Sequence, residues 1–280
     1  MKKVLSLILA FTLIFAMCCL TACGTTEDDN KNKNNNSASS NTGSTASSAQ
    51  FTPVTAGKLT MATNAYFQPY EYYDGDKIIG IDAEIADAIA KKLNLELVIK
   101  DMNFDTIITA VNKGEADVGI AGMTVTPDRS LEVDFSVSYA NGVQVVIVKE
   151  NSPITSVDDL TDSDYKIGVQ LGTTGDIYAS ADVEDGGYGA DRVTQYANGN
   201  EAVVALLGGD IDCIIIDNEP AKSFVANNAG LKILETTYAD EDYAIAIKKG
   251  NTALKRAIDA AILELTADGT IDAIVAKYIK

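Results

Sequence analysis

Apolar and polar positions begin to alternate regularly at Phe51, and from there the chain reads as strand, helix, strand to its end. Lys58 to Thr63 has the pattern of a strand and runs into the aromatic loop Asn64-Ala65-Tyr66-Phe67-Gln68-Pro69-Tyr70. Ile81, Ile85, Ile89 and Leu93 then fall on one helical face, with Asp82 the expected N-cap. Glu96 to Lys100 is the next strand, and Asn103-Phe104-Asp105 opens a helix through Val111. Val118 to Ala121 is a buried strand that breaks at Gly122, after which Pro127 starts a short helix. Val143 to Val148 and Tyr165 to Gln170 follow as strands, the second leading into a helix start at Leu171-Gly172-Thr173-Thr174-Gly175-Asp176. Asn198 introduces a helix expected to bury Val203, Val204, Leu206 and Leu207. Ile211 to Asp217 is a central strand ending in an acid, ahead of a helix holding Ala221, Phe224 and Val225. After a strand from Tyr243 to Ile247, two helices close the chain. Ala253, Ala257, Ala260, Ala261 and Leu263 are expected to pack the first, and Ile271, Ile274, Val275 and Tyr278 the second. This rhythm predicts an α/β fold of mostly parallel sheets flanked by helices.

The first fifty residues have no such pattern. Lys2 and Lys3 precede the apolar run Val4 to Leu20, which closes in Leu20-Thr21-Ala22-Cys23. Residues 1–22 read as a signal peptide, the apolar run being short for a membrane span. The closing residues resemble the lipobox of bacterial lipoproteins, which implies that Cys23 is acylated. Gly24 to Gln50 is polar and carries no aliphatic side chain larger than alanine. Residues 23–52 are therefore expected to be a lipidated cysteine and a disordered tether reaching about 30 Å as a flexible coil. The folded part should then sit outside the cell, anchored by lipid to the outer face of the membrane of a Gram-positive-type bacterium.

Composition narrows the chemistry. The chain has no histidine, which excludes histidine-based triads and most metal centres. Without residues 1–22 it carries 20 basic and 40 acidic residues, a formal charge of −20 that disfavours nucleic acid as a partner. Cys18 and Cys19 leave with the signal peptide and Cys23 carries lipid. Cys213 stays as a small buried hydrophobe, so no disulfide forms within one mature chain.

The candidate chemistry lies at strand ends. Gly122 lets a neighbour approach the backbone, Thr124 and Thr126 add hydroxyls, and Arg129 has the planar fork that grips a carboxylate. A surface Arg129 paired with Asp128 or Glu132 explains the same residues. Thr173 and Thr174 offer amides to an anion or simply cap a helix. Asp217 faces the same crevice as Arg129 or caps the following helix.

Taken together, Ala62-Thr63-Asn64, Pro69-Tyr70-Glu71-Tyr72, Gly80-Ile81-Asp82, Phe104-Asp105, Ala121 to Arg129 and Asp134-Phe135-Ser136 occur in an order that resembles the polar amino-acid-binding proteins of bacterial ABC importers. The resemblance covers Lys58 to Lys280. It implies a two-lobed periplasmic-binding-protein-like fold of class II with two crossovers. Lobe 1 would be 53–140 with 242–280, and lobe 2 would be 141–241. The chain would act as a monomer without cofactor or catalysis, delivering a free L-amino acid to an ABC permease and its ATPase. Arg129 would take the ligand carboxylate with Thr124 and the amides of Thr173 and Thr174. Asp217 and the Gly122 carbonyl would take the ammonium, Ala121 would line the site, and Phe67 and Phe104 would sandwich the side chain. Relatives for basic amino acids, and some for glutamine, carry an acid where this chain has Asn64, and Gln170 is also neutral. A polar uncharged ligand is therefore expected, with arginine or lysine the alternative should Glu71 or the run Asp240-Glu241-Asp242 reach the pocket. A secreted enzyme of the same fold, such as a dehydratase, is the remote alternative.

Overall fold

The computed structural model describes residues 51–161 and 164–279. The expected signal peptide, Cys23 and nearly all of the tether lie outside the described residues. Phe51 packs against the core, so the fold begins inside the segment expected to be tether.

The first half of the chain runs β1 (Lys58–Thr63), then a small antiparallel sheet of β2 (Tyr66–Phe67), β3 (Glu71–Asp74) and β4 (Lys77–Ile79), then α1 (Ile81–Lys92) and β5 (Glu96–Asp101). A 3-10 turn at Phe104–Thr106 leads into α2 (Ile107–Lys113), β6 (Val118–Gly119), α3 (Pro127–Glu132) and β7 (Val133–Phe135). The second half contains β8 (Ala140–Lys149), β9 (Ile167–Gln170), α4 (Thr174–Ser180), β10 (Val193–Tyr196), α5 (Gly199–Gly208), β11 (Cys213–Asp217), α6 (Asn218–Asn227) and β12 (Leu231–Ile233). The chain ends with β13 (Ala239–Tyr243), β14 (Ala246–Lys248), α7 (Thr252–Ala267) and α8 (Thr270–Tyr278).

These strands form two main sheets, in the orders β5-β1-β6-β14-β7 and β10-β9-β11-β8-β12. Strands joined through a helix on their own sheet are parallel, as β1 is to β5 and β6, and β9 to β10 and β11. β8 and β14 arrive from the other sheet, so nothing obliges them to run parallel. Both pair antiparallel, which makes the sheets mixed where the sequence suggests mostly parallel ones. β8 and β13 also pair with each other, from Ala140↔Tyr243 to Gln144↔Ala239, where the chain passes between the sheets. β11 is buried along its whole length: Ile214 and Ile216 join one core cluster while Cys213 and Ile215 join another. Both faces of that sheet are therefore covered.

Three local expectations change. Gly80, not Asp82, occupies the N-cap of α1, with φ 125°; an added Cβ would lie 2.2 Å from the Tyr70 carbonyl oxygen. Asp82 is fully buried in the first helical turn. On α5 the core takes Ala202, Val203, Ala205 and Leu206, leaving Val204 71% and Leu207 42% exposed. On α7 the buried stripe is Leu254, Ile258, Ala261, Ile262 and Leu265, while Ala260 and Leu263 face outward. In both helices more apolar residues than one stripe can hold hid which positions face the core.

Candidate functional site

The loops after the strands form one crevice between the two sheets. Its lining contains Asn64, Phe67, Phe104, Ala121, Gly122, Thr124, Arg129, Gln170, Thr173, Thr174 and Asp217, so every residue singled out from the sequence as a ligand contact is gathered there. Glu71 is the additional member.

Arg129 is placed by α3. Thr126 caps this helix by accepting from the Arg129 amide at 3.2 Å, and Pro127 supplies the fixed φ of its first turn. The guanidinium is 6% exposed, donates to the Thr124 carbonyl at 2.7 Å and the Gly172 carbonyl at 2.9 Å, and stands 5.3 Å over the Phe104 ring. Asp128 and Glu132 do not pair with it; among the described residues no carboxylate forms an ion pair with Arg129. Burial lowers its pKa, and Glu241 and Asp217 oppose that shift. This is a buried cation satisfied only by carbonyl dipoles and a ring face.

Asp217 is the opposite charge. It sits at the N-cap position of α6, yet its side chain makes no capping bond. Its Oδ2 accepts from Gln144 Nε2 at 2.7 Å, while Oδ1 is buried without a donor. Burial holds its pKa well above the usual carboxylate range, and the neighbouring Glu241 adds to that shift.

The remaining contacts refine the expected roles. Thr124 Oγ1 donates to Glu241 Oε2 at 2.8 Å, so this hydroxyl is committed within the protein. The Gly122 amide donates to Asp82 Oδ2 at 2.8 Å. Gly122 has φ 52°, and the space its absent Cβ leaves is filled by Phe67, whose ring would lie 2.8 Å from such an atom. The approach that glycine permits there is thus made by the protein's own aromatic ring. Thr173 caps α4 by accepting from the Asp176 amide, and the Gly172 amide is taken by Asp176 Oδ2. Asn64 spends its amide on both sides, donating to the Met102 carbonyl at 2.8 Å and accepting from Gln170 Nε2 at 2.9 Å.

Sequence reasoning missed the residue at the centre of this network. Gln144 Nε2 reaches Asp217 Oδ2 at 2.7 Å, Glu241 Oε2 at 3.1 Å and Thr174 Oγ1 at 3.4 Å. Its signal was a single amide interrupting the apolar run of β8. Glu241 lay hidden in an acidic run that resembles solvated surface, yet it is 6% exposed. Cys213 is fully buried, with its thiol pushed up to about 12 by desolvation. Among the described residues no acid or cysteine cluster could hold a metal ion, and no helix is long and apolar enough to cross a membrane.

Residues 59–280 match the family described as bacterial extracellular solute-binding proteins, family 3. The arginine-binding extracellular protein ArtP of Bacillus subtilis is 31% identical over 281 residues, covering 99% of this chain and 98% of that one. An ancestral arginine-binding protein solved with arginine bound is 39% identical with a TM-score of 0.74, covering 80% of this chain and 99% of its own; its glutamine-bound structure gives 38% and 0.73 with the same coverage. The arginine-, lysine-, histidine-binding protein ArtJ of Geobacillus stearothermophilus is 31% identical with a TM-score of 0.73, covering 79% of this chain and 95% of that one. The fold is that of these two-lobed binding proteins, and the chain belongs to the bacterial extracellular solute-binding proteins of family 3.

Proposed function

We propose that this chain binds a free basic L-amino acid, of the arginine or lysine class, in the crevice and delivers it to an ABC permease. One observation carries the zwitterion part: Arg129 and Asp217 are buried on the walls of a single crevice and, among the described residues, neither has an ion-pair partner. Isolated buried charges are costly, and a ligand bearing both a carboxylate and an ammonium matches the two at once. The ligand carboxylate would meet Arg129 and its ammonium Asp217, with Phe67 and Phe104 against the side chain.

Asn64 read alone predicts a neutral ligand, but its amide is spent within the protein and says little about ligand charge. Asp217, Glu241 and Asp82 are all buried around the site, against Arg129 as the one buried cation in the crevice lining among the described residues. A ligand of net positive charge offsets that imbalance better than a neutral one. Relatives named for arginine support the same choice. The acids are engaged in hydrogen bonding and charge matching, which favours reversible binding over conversion of the ligand.

The lobes we assign are 53–140 with 242–280 and 141–241, with β8 and β13 as the crossovers about which they close. Arg129 and Asp217 then come from different lobes, so closure completes the site. We further assign Cys23 as the lipid anchor and the permease with its ATPase as partners. Calorimetry of Arg129→Ala tests the site: the lost charge pairing should weaken arginine binding by about 2–5 kcal/mol, roughly 30-fold to several thousand-fold. Affinity within twofold of wild type would refute it.

A further inference from the structure

Two acids beside the crevice are buried against each other. Glu71 begins β3, Asp82 lies in the first turn of α1, and both are fully buried. Backbone bonds from the Ile81 amide to the Pro69 carbonyl and from the Asp82 amide to the Tyr70 carbonyl hold the two segments together. Asp82 Oδ2 is satisfied twice, by the Gly122 amide and by the Tyr139 hydroxyl, each at 2.8 Å. Three buried oxygens have no donor: Asp82 Oδ1, Glu71 Oε1 and Glu71 Oε2. Of the surrounding charges, Asp82 is the one that acts most strongly on Glu71.

An ionised carboxylate only accepts, so two of them in this position would repel with no donor between them. The other titratable groups facing the pair make a second charge harder still. Tyr70, Asp101, Tyr139 and Asp217 are phenols or further acids. A carboxylic acid O–H resolves the conflict by supplying the missing donor. Asp82 accepts two strong hydrogen bonds, which favour its charged form, whereas Glu71 accepts none. Glu71 is therefore the member that carries the proton.

We propose that Glu71 and Asp82 share a single proton, donated by Glu71 to Asp82 Oδ1, and that this acid pair is the positioning element that fixes Gly122 in the crevice wall. The same pair reaches Tyr139, immediately before β8, so it ties the Gly122 loop, α1 and the start of a connecting strand together. Burial shifts both carboxyls towards their protonated forms. The sign of the pH effect follows. An unfolded glutamate releases its proton near pH 4.3, to a good approximation, while the folded one retains it. The pair's contribution to stability is complete below about that pH and is lost as pH rises towards the folded value, by about tenfold in the folding equilibrium per pH unit.

Infrared spectroscopy of the ligand-free protein at neutral pH tests this directly. Asp217→Asn, which removes the other strongly raised carboxyl of the site, should show a protonated-carboxyl stretch that Glu71→Gln in the same background lacks and Glu241→Gln keeps. The Glu71→Gln side chain can still donate to Asp82, so this variant should fold. Its stability relative to wild type should rise with pH above about 4.3. Should it fail to fold, carbon-13 labelling of glutamate carboxyls in Asp217→Asn must shift that band, and labelling of aspartate must not. Absence of the band, its survival in Glu71→Gln, or a pH-independent stability difference would overturn the proposal. Neither the infrared nor the stability arm involves ligand, so this proposal and the proposed ligand site fail separately.

Discussion

Asp217→Asn should weaken binding and strengthen the fold, and the opposite signs make it a demanding test. The substitution keeps the shape, and Gln144 Nε2, now 2.7 Å from Oδ2, can still donate to an amide oxygen. What disappears is the charge that the proposed site offers to the ligand ammonium. An unpaired ammonium in a closed crevice costs about 2–5 kcal/mol, a loss of roughly 30-fold to several thousand-fold. Without ligand the same charge is a burden, because Oδ1 is buried with no donor and Glu241 is nearby. Removing it should return about 1–3 kcal/mol of stability at pH 7. Burial raises the Asp217 pKa, so the folded state resists ionisation. The burden is absent below about pH 4, where the unfolded aspartate is protonated too, and it grows as pH rises towards the folded value. Thermal unfolding of ligand-free protein at pH 7 should therefore favour the variant, and the difference should close near pH 4. A variant that binds arginine within threefold of wild type, or melts lower at pH 7, would refute the reasoning.

Two further outcomes follow, one from the same contacts and one from the proposed lipid anchor. Asn64→Asp would set a carboxylate oxygen where an amide now donates to the Met102 carbonyl at 2.8 Å, and urea unfolding should show a loss of about 1–3 kcal/mol. Cys23→Ser should release the protein from the membrane and abolish labelling by a radioactive fatty acid, while arginine affinity stays unchanged; normal retention would contradict the anchor.

The sequence made the strand ends legible because small and turn-forming residues, Gly122, Thr126, Pro127 and Thr173, mark them independently of tertiary context. That pointed to one crevice, since loops after the strands of an open sheet share one edge, while Asn64, Phe67, Phe104, Ala121 and Gln170 were legible only through the family resemblance. Partner choice was hidden. Nothing local says that Thr124 donates to Glu241, more than a hundred residues away, or that Asn64 is consumed by Met102 and Gln170. Asp82 looked like a cap because it stands beside a glycine at a helix start, and only the fold reveals that it faces inward to Gly122. Helix phase failed where apolar residues were too plentiful, as at Val204, Leu207 and Leu263. β2, β3 and β4 escaped notice because strands this short leave no periodic signal.

The central claim is that the crevice holds a basic amino acid between Arg129 and Asp217, with surrounding acids favouring the positive ligand. Isothermal titration of ligand-free protein with arginine, lysine, glutamine and glutamate tests it most directly. Arginine or lysine should bind at least tenfold tighter than glutamine, and glutamate should bind weakest of the four. Glutamine binding as tightly as arginine would contradict the charge argument, and no binding by any of the four would contradict the site itself.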